Sequence, residues 1–176
     1  SIAGWQIMAL KSAHSAKLAV SPESIRGIDR FLRRVCVSDF LFVYRTGMKP
    51  THSMTSIGTL IRMYRGISKS DPSIRRAIEY LAKHGHSETD VYYNYYATQA
   101  LFHYGGKPWE AWNSSMREYL IRSQIKYGHD AGSWWLGGAF NSEGGRLYTT
   151  AMSCLTLEVY YRYLPVYEET EEEFKF

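Results

Sequence analysis

Cysteine is nearly absent from this chain: the two residues present, Cys36 and Cys154, exclude a disulfide scaffold and leave the redox compartment open. Proline is almost as sparse, with five residues, and no apolar run approaches the ~18 residues that a membrane span needs. No cleavable leader pattern opens the sequence. The start at Ser1-Ile2-Ala3-Gly4-Trp5, without Met and directly into a helical pattern, predicts a processed or excised piece of a longer chain. Walker, Gly-x-Gly-x-x-Gly, Gly-x-Ser-x-Gly and His-Glu-x-x-His strings are all missing. The common nucleotide, serine-hydrolase and zinc-protease chemistries therefore lose their reactive groups, and no cofactor is expected.

Aromatic residues are plentiful, with tyrosine foremost. Fifteen tyrosines cluster in runs such as Tyr92-Tyr93-Asn94-Tyr95-Tyr96 and Tyr160-Tyr161-Arg162-Tyr163. A phenol needs one apolar and one hydrogen-bonding environment, which suits pocket walls, interfaces and the wedges between packed helices alike. The formal charge of +4 is uneven: residues 168–176 hold five Glu against one Lys, leaving 20 bases and 12 acids over residues 1–167. We expect one helical-repeat domain over 1–167 and a disordered acidic tail over 168–176. The Arg residues at 26, 30, 33 and 34, and at 75 and 76, follow helical spacing, so a solvated helix face is the expectation rather than a nucleic-acid site.

Internal repetition organises the chain. Small and apolar stretches open near 3, 54, 96 and 148, beginning Gly4-Trp5-Gln6, Met54-Thr55-Ser56, Tyr96-Ala97-Thr98 and Tyr148-Thr149-Thr150. Small residues along one face let helices approach closely, as an inner layer requires. Between them, Ser24-Ile25-Arg26-Gly27-Ile28-Asp29-Arg30-Phe31-Leu32 matches Ser73-Ile74-Arg75-Arg76-Ala77-Ile78-Glu79-Tyr80-Leu81 at an offset of 49. Apolar residues at three- and four-residue steps mark amphipathic outer helices. With Ser21-Pro22 and Asp71-Pro72 as start signals, the pattern predicts an all-α fold. Helices are expected near 2–17, 22–36, 53–66, 72–84, 92–104, 109–126 and 145–163, the odd ones inner and the even ones outer. Two long connections, 37–52 and 127–144, read equally as functional loops and as aromatic plugs.

Alternating inner and outer helices at about fifty residues describe an α/α toroid, or an open arc of one. The segment Tyr119-Leu120-Ile121-Arg122-Ser123-Gln124, followed by Gly132-Ser133-Trp134, resembles the repeat of squalene and hopene cyclases. Seven residues separate Gln124 from Gly132, where those cyclases use about three. Gly4-Trp5-Gln6, Tyr93-Asn94-Tyr95-Tyr96-Ala97-Thr98-Gln99 and Gly144-Gly145-Arg146-Leu147-Tyr148 are similar to bacterial proteins carrying prenyltransferase and squalene-oxidase repeats. The resemblance implies a scaffold rather than an activity. The Asp-x-Asp-Asp acid of the cyclases is absent, Cys154 lacks the Asp of the prenyltransferase zinc site two residues before it, and no Cys-Gly-Glu-Gln thioester string occurs.

Two functional expectations follow. One is a binding module for a peptide, a partner domain or an apolar ligand. Its concave surface would be built from Trp5, Tyr92, Tyr93 and Asn94, with Tyr96, Gln99 and Tyr148. The other is an enzyme acting on an isoprenoid-like ligand through a rim where inner helices begin. Asp90, His52 and Arg146 are the candidate catalytic groups there, because free N–H groups attract anions and an aromatic setting raises a carboxyl pKa. The plainer alternative makes Asp90 a helix cap paired with Arg146. His84-Gly85-His86 with Asp90 has metal-ligand chemistry but sits in a polar loop, so no metal is expected. Four inner helices fall short of a closed toroid, which predicts self-association or a missing part of the parent chain to cover an apolar edge.

Overall fold

Seven helices form in the computed structural model, which describes residues 2–159, and four of them, α2 to α5, start at a side-chain cap. They are α1 (Ile2–Ser15), α2 (Pro22–Val35), α3 (His52–Tyr64), α4 (Pro72–His84), α5 (Val91–Tyr104), α6 (Gly106–Ser123) and α7 (Ala139–Leu157). No strand occurs among the described residues. Ser21 and Asp71 accept from the backbone N–H groups of Glu23 and Ser73, each with proline at the first helical position. Thr51 and Asp90 do the same for Met54 and Tyr93. Each cap satisfies an orphan donor of the first turn, which fixes where the helix begins.

The boundaries depart from expectation where the backbone can turn sharply. The first helix ends at Ser15, two residues early, because Lys17 adopts φ 60 and Leu18 N–H reaches back to Ala13 O at 2.9 Å. Gly105 closes α5 and opens α6 at once, so the sixth helix starts at Gly106 rather than 109. The seventh begins at Ala139 and breaks at Gly145, whose φ of 71 separates a short first part from the stretch expected from 145. It ends at Leu157 with Glu158 as its C-cap, short of the expected 163; residues 160–163 and the acidic tail lie outside the described residues.

Packing links the odd-numbered helices in a row, with α4 and α6 against them. α1 packs on α3, α3 on α5 and α5 on α7, while α4 and α6 pack on each other and back onto α3 and α5. Sequence explains the sorting. Nine of the thirteen residues of α3 and ten of the fourteen of α5 are buried, whereas α2, α4 and α6 bury one stripe, such as Ile74, Ala77, Ile78 and Leu81 on α4. Among the described residues no helix packs extensively on α2. Its Ile28, Leu32 and Val35 join the core, and Asp29 is held by Arg65 at 3.0 and 3.1 Å.

Both long connections are structural seals. In the first, Val43 N–H donates to Val35 O at 2.9 Å, and Phe42 lies on Gly58 of α3 so closely that a Cβ there would enter its ring. In the second, Gln124 donates to Gly132 O at 2.9 Å and the buried Trp134 indole donates to Leu120 O at 2.8 Å. Trp134 N–H also meets Thr150 on α7 at 3.1 Å. The Gln-to-Trp segment thus ties the end of an outer helix to the next inner one.

Candidate functional site

Three clusters carry polar or apolar groups suited to a site, the first at the rim where α3 and α5 start. Asp90 caps α5, and its second oxygen accepts from Ser53 Oγ at 2.8 Å. Both carboxylate oxygens are therefore engaged in holding helix starts. Arg146 pairs with Asp130, not with Asp90. His52 stacks on His84 with ring centroids 3.5 Å apart and on Tyr80 at 4.8 Å, while Tyr93 meets both imidazoles edge-on. Burial, then the neighbouring His84 charge, lowers the His52 pKa. Two imidazoles in face contact disfavour double protonation. The structure brings Asp90 and His52 to the same rim, with Arg146 tied to a different loop.

The residues expected to line a concave surface are mainly interior. Tyr93 is buried, donates to Gly85 O at 3.0 Å, and has its pKa raised first by burial and then by Tyr80 and Asp90. Asn94 is buried and clamps Ser87, accepting from its N–H at 2.8 Å and donating to its O at 2.7 Å. Tyr96 and Gln99 are buried in α5; Tyr92 is half-buried against Tyr96. Tyr148 is half-buried, and burial followed by Asp90 and Tyr92 pushes its phenol up to about 12. Trp5 alone of the seven is exposed, at 40%, stacked on Tyr95. His86 shares a hydrogen bond with Ser115 at 3.0 Å, and no group of three or more His, Cys, Asp or Glu able to hold a metal occurs among the described residues.

At the opposite ends of the inner helices lies a second cluster that the sequence reading passed over. Lys11 of α1 is buried with its ammonium 4.7 Å above the Tyr64 ring, and the Tyr64 hydroxyl meets His103 Nε2 at 3.3 Å. Burial lowers Lys11 to about 8. It lowers His103 to about 3, with the charges of Lys11 and Lys69 acting in the same direction. Gly4, Ile7 and Lys11 are the buried residues of α1, a three-then-four spacing that places this lysine on the apolar face. That spacing was the available signal.

The third cluster is an open apolar groove between α1 and α2, of about 20 Å³, floored by Met54, Ile57 and Ile61 of α3 and walled by Phe31, Val35 and Tyr44. Two of its lining residues, Phe31 and Tyr44, are themselves exposed. Arg26, Arg30, Arg33 and Arg34 are all exposed on α2, and none forms an ion pair among the described residues. Arg30 and Arg34 are one turn apart, and Arg34 follows Phe31 at the three-residue spacing of helix-surface neighbours. A cavity of about 10 Å³ under α6, lined by Trp112, Met116 and Val159, holds no more than one water. Comparison of the chain with protein-family models, with curated proteins and with solved structures found no match.

Proposed function

We propose that this protein is a non-catalytic binding module whose working surface is the α1–α2 edge. The observation that carries this reading is an apolar groove with Phe31 and Tyr44 exposed in its wall, next to an α2 whose Arg30 and Arg34 are exposed and form no ion pair among the described residues. Exposed apolar area ringed by charge is the signature of an interaction site, because leaving it in water is unfavourable. The scaffold is read as an open arc of the α/α toroid that the cyclase and prenyltransferase repeats resemble. Support comes from the alternating layers and from the Gln124-to-Trp134 tie. Within that reading α1 is an end of the inner row, where a further helix or a partner would pack.

The alternative, an enzyme for an isoprenoid-like ligand at the Asp90–His52 rim, has less support. Asp90 spends both oxygens on Ser53 and Tyr93, and Arg146 is engaged by Asp130. The groove and the cavity under α6, at about 20 and 10 Å³, fall far below the roughly 300 Å³ of a small-molecule site. Native mass spectrometry of the purified chain tests the choice. A protein partner or second copy, lost in a Phe31→Ser/Tyr44→Ser variant, is the expected result. A stoichiometric co-purified lipid retained by that variant would reverse the preference.

A further inference from the structure

Neither the apolar edge nor the Asp90 cap accounts for the rings gathered at the rim. His52, the first residue of α3, lies between Tyr80 at 4.8 Å and His84 at 3.5 Å, each pair inclined by 10°. Phe40, in the connection 36–51, meets the Tyr80 ring edge-on at 5.9 Å. The rings thus run Phe40, Tyr80, His52, His84, and Tyr93 of α5 closes the side of both imidazoles. We propose that this stack is an acid-sensitive latch: it holds the start of α3 and the connection onto the end of α4 at neutral pH, and it opens when both imidazoles carry a proton.

Like charge is what opens it. A single proton is tolerated, because its charge spreads over one ring and meets the faces of neutral ones. A second proton puts two like charges at stacking distance, which even at the dielectric of water shifts the closed-to-open ratio about tenfold. The helix ends set the two rings apart. His52 opens α3, where orphan N–H groups oppose a cation, and His84 ends α4, where orphan carbonyls attract one. Burial, then the His84 charge, lowers the His52 pKa in the same sense. His84 is exposed and His52 half-buried, so solvent protons reach the pair.

The groups facing the stack do little to offset a second charge. From α4 there is Tyr80, and beside it and His84 in sequence stand exposed Glu79 and Lys83, one of each sign. From α5 there are Tyr93 and Asp90. Tyr93 is neutral in acid and donates to Gly85 O at 3.0 Å. The Asp90 oxygens accept from Tyr93 N–H and Ser53 Oγ, each at 2.8 Å, so its charge is shared with the first turn of α5. From the connection there is Asp39, which Arg76 pairs.

Opening frees a defined segment. Phe42 N–H donates to Thr55 Oγ1 and Thr51 N–H to Phe42 O, both at 3.3 Å, so the connection and the first turn of α3 are held as one piece. Tyr44, in the wall of the α1–α2 groove, belongs to the same connection. Acid therefore loosens one wall of that edge, and the latch itself needs no partner there.

Hydrogen exchange of the full chain at pH 7 and pH 4.5, corrected for intrinsic rates, tests the latch. Wild type is compared with H52F and H84F, each of which keeps a ring and removes one charge, with circular dichroism to check folding. In wild type, opening of peptides within residues 40–55 is expected to rise about tenfold or more on acidification, over and above any rise in residues 95–101 of α5. The α5 peptides report acid loss of the whole fold, so the difference isolates the latch. Both variants should abolish that difference, and either one that folds is sufficient for the comparison. A wild-type segment that opens no more than α5, or an equal excess in a folded variant, overturns the proposal.

Discussion

The α3–α5 pair and the α1–α2 edge are both helical, yet they differ in what surrounds each apolar residue. In the centre, Leu60, Ile61, Tyr95, Tyr96 and Leu101 meet neighbours on every side, and the buried polar groups are spent on local bonds such as Trp112 Nε1 to Thr98 Oγ1 at 2.9 Å. At the edge, Ile2, Trp5, Leu18 and Phe31 carry comparable side chains with one side in water. A repeat unit buries its second face only against a neighbour, so position in the row, rather than residue type, decides between core and interface. The edge is where sequence economy leaves surface for recognition.

Matched truncations should break the symmetry of that comparison most plainly. Leu101→Ala, at a fully buried site, is expected to cost about 3 kcal/mol in denaturant unfolding, while Leu18→Ala, 63% exposed, should cost under about 0.5 kcal/mol. Similar losses at both sites would mean that the edge is covered. Acid should act next, and on the centre. His103 is held far below its ordinary pKa, so the unfolded state binds the extra proton. Stability is therefore full above pH 6.5 and declines as pH falls toward 3, by about 2–3 kcal/mol at pH 4.5 from this group. His103→Gln should flatten that limb of the pH–stability curve, and an unchanged slope would assign the acid sensitivity elsewhere.

Between the two regions lies the Phe42 plug. Gly58→Ala places a methyl in the Phe42 ring, and an overpacking cost of about 2 kcal/mol is expected, accompanied by faster proteolysis within residues 36–51. Cleavage that stays slow would show the ring has room to move. The smallest effect belongs to the edge itself. Lys17 sits at φ 60, so Lys17→Gly should stabilise the chain by about 1 kcal/mol, read as a rise in the thermal midpoint.

Much of this architecture was legible in the sequence because helix starts and apolar periodicity are local. Ser21-Pro22 and Asp71-Pro72 marked the first residues of α2 and α4, and the buried stripes of both follow the three- and four-residue apolar steps. The Gln124-to-Trp134 segment singled out in the sequence joins the end of α6 to α7. What could not be read locally was exposure. Tyr93 and Asn94 have the chemistry of a ligand surface, but Gly85 O and the Ser87 backbone consume their polar atoms. Arg146 likewise took its partner from a loop sixteen residues upstream, at Asp130. Partners set by tertiary packing leave no periodic trace, whereas the depth of Lys11 did leave one, in its spacing from Gly4 and Ile7.

The break in α7 has a consequence for motion. Gly145 interrupts the helical ladder, so the short first part is held from outside: Asn141 donates to Thr89 O at 3.0 Å, and Gly138 lies against the same carbonyl. The second part, by contrast, is anchored by Thr149 and Thr150 around Trp134. Two segments of one helix thus belong to different cooperative units, and the first can detach without unwinding the second. Amide hydrogen exchange should register this as a step at Gly145, fast before it and slow after, in a stretch that looks like a single rod.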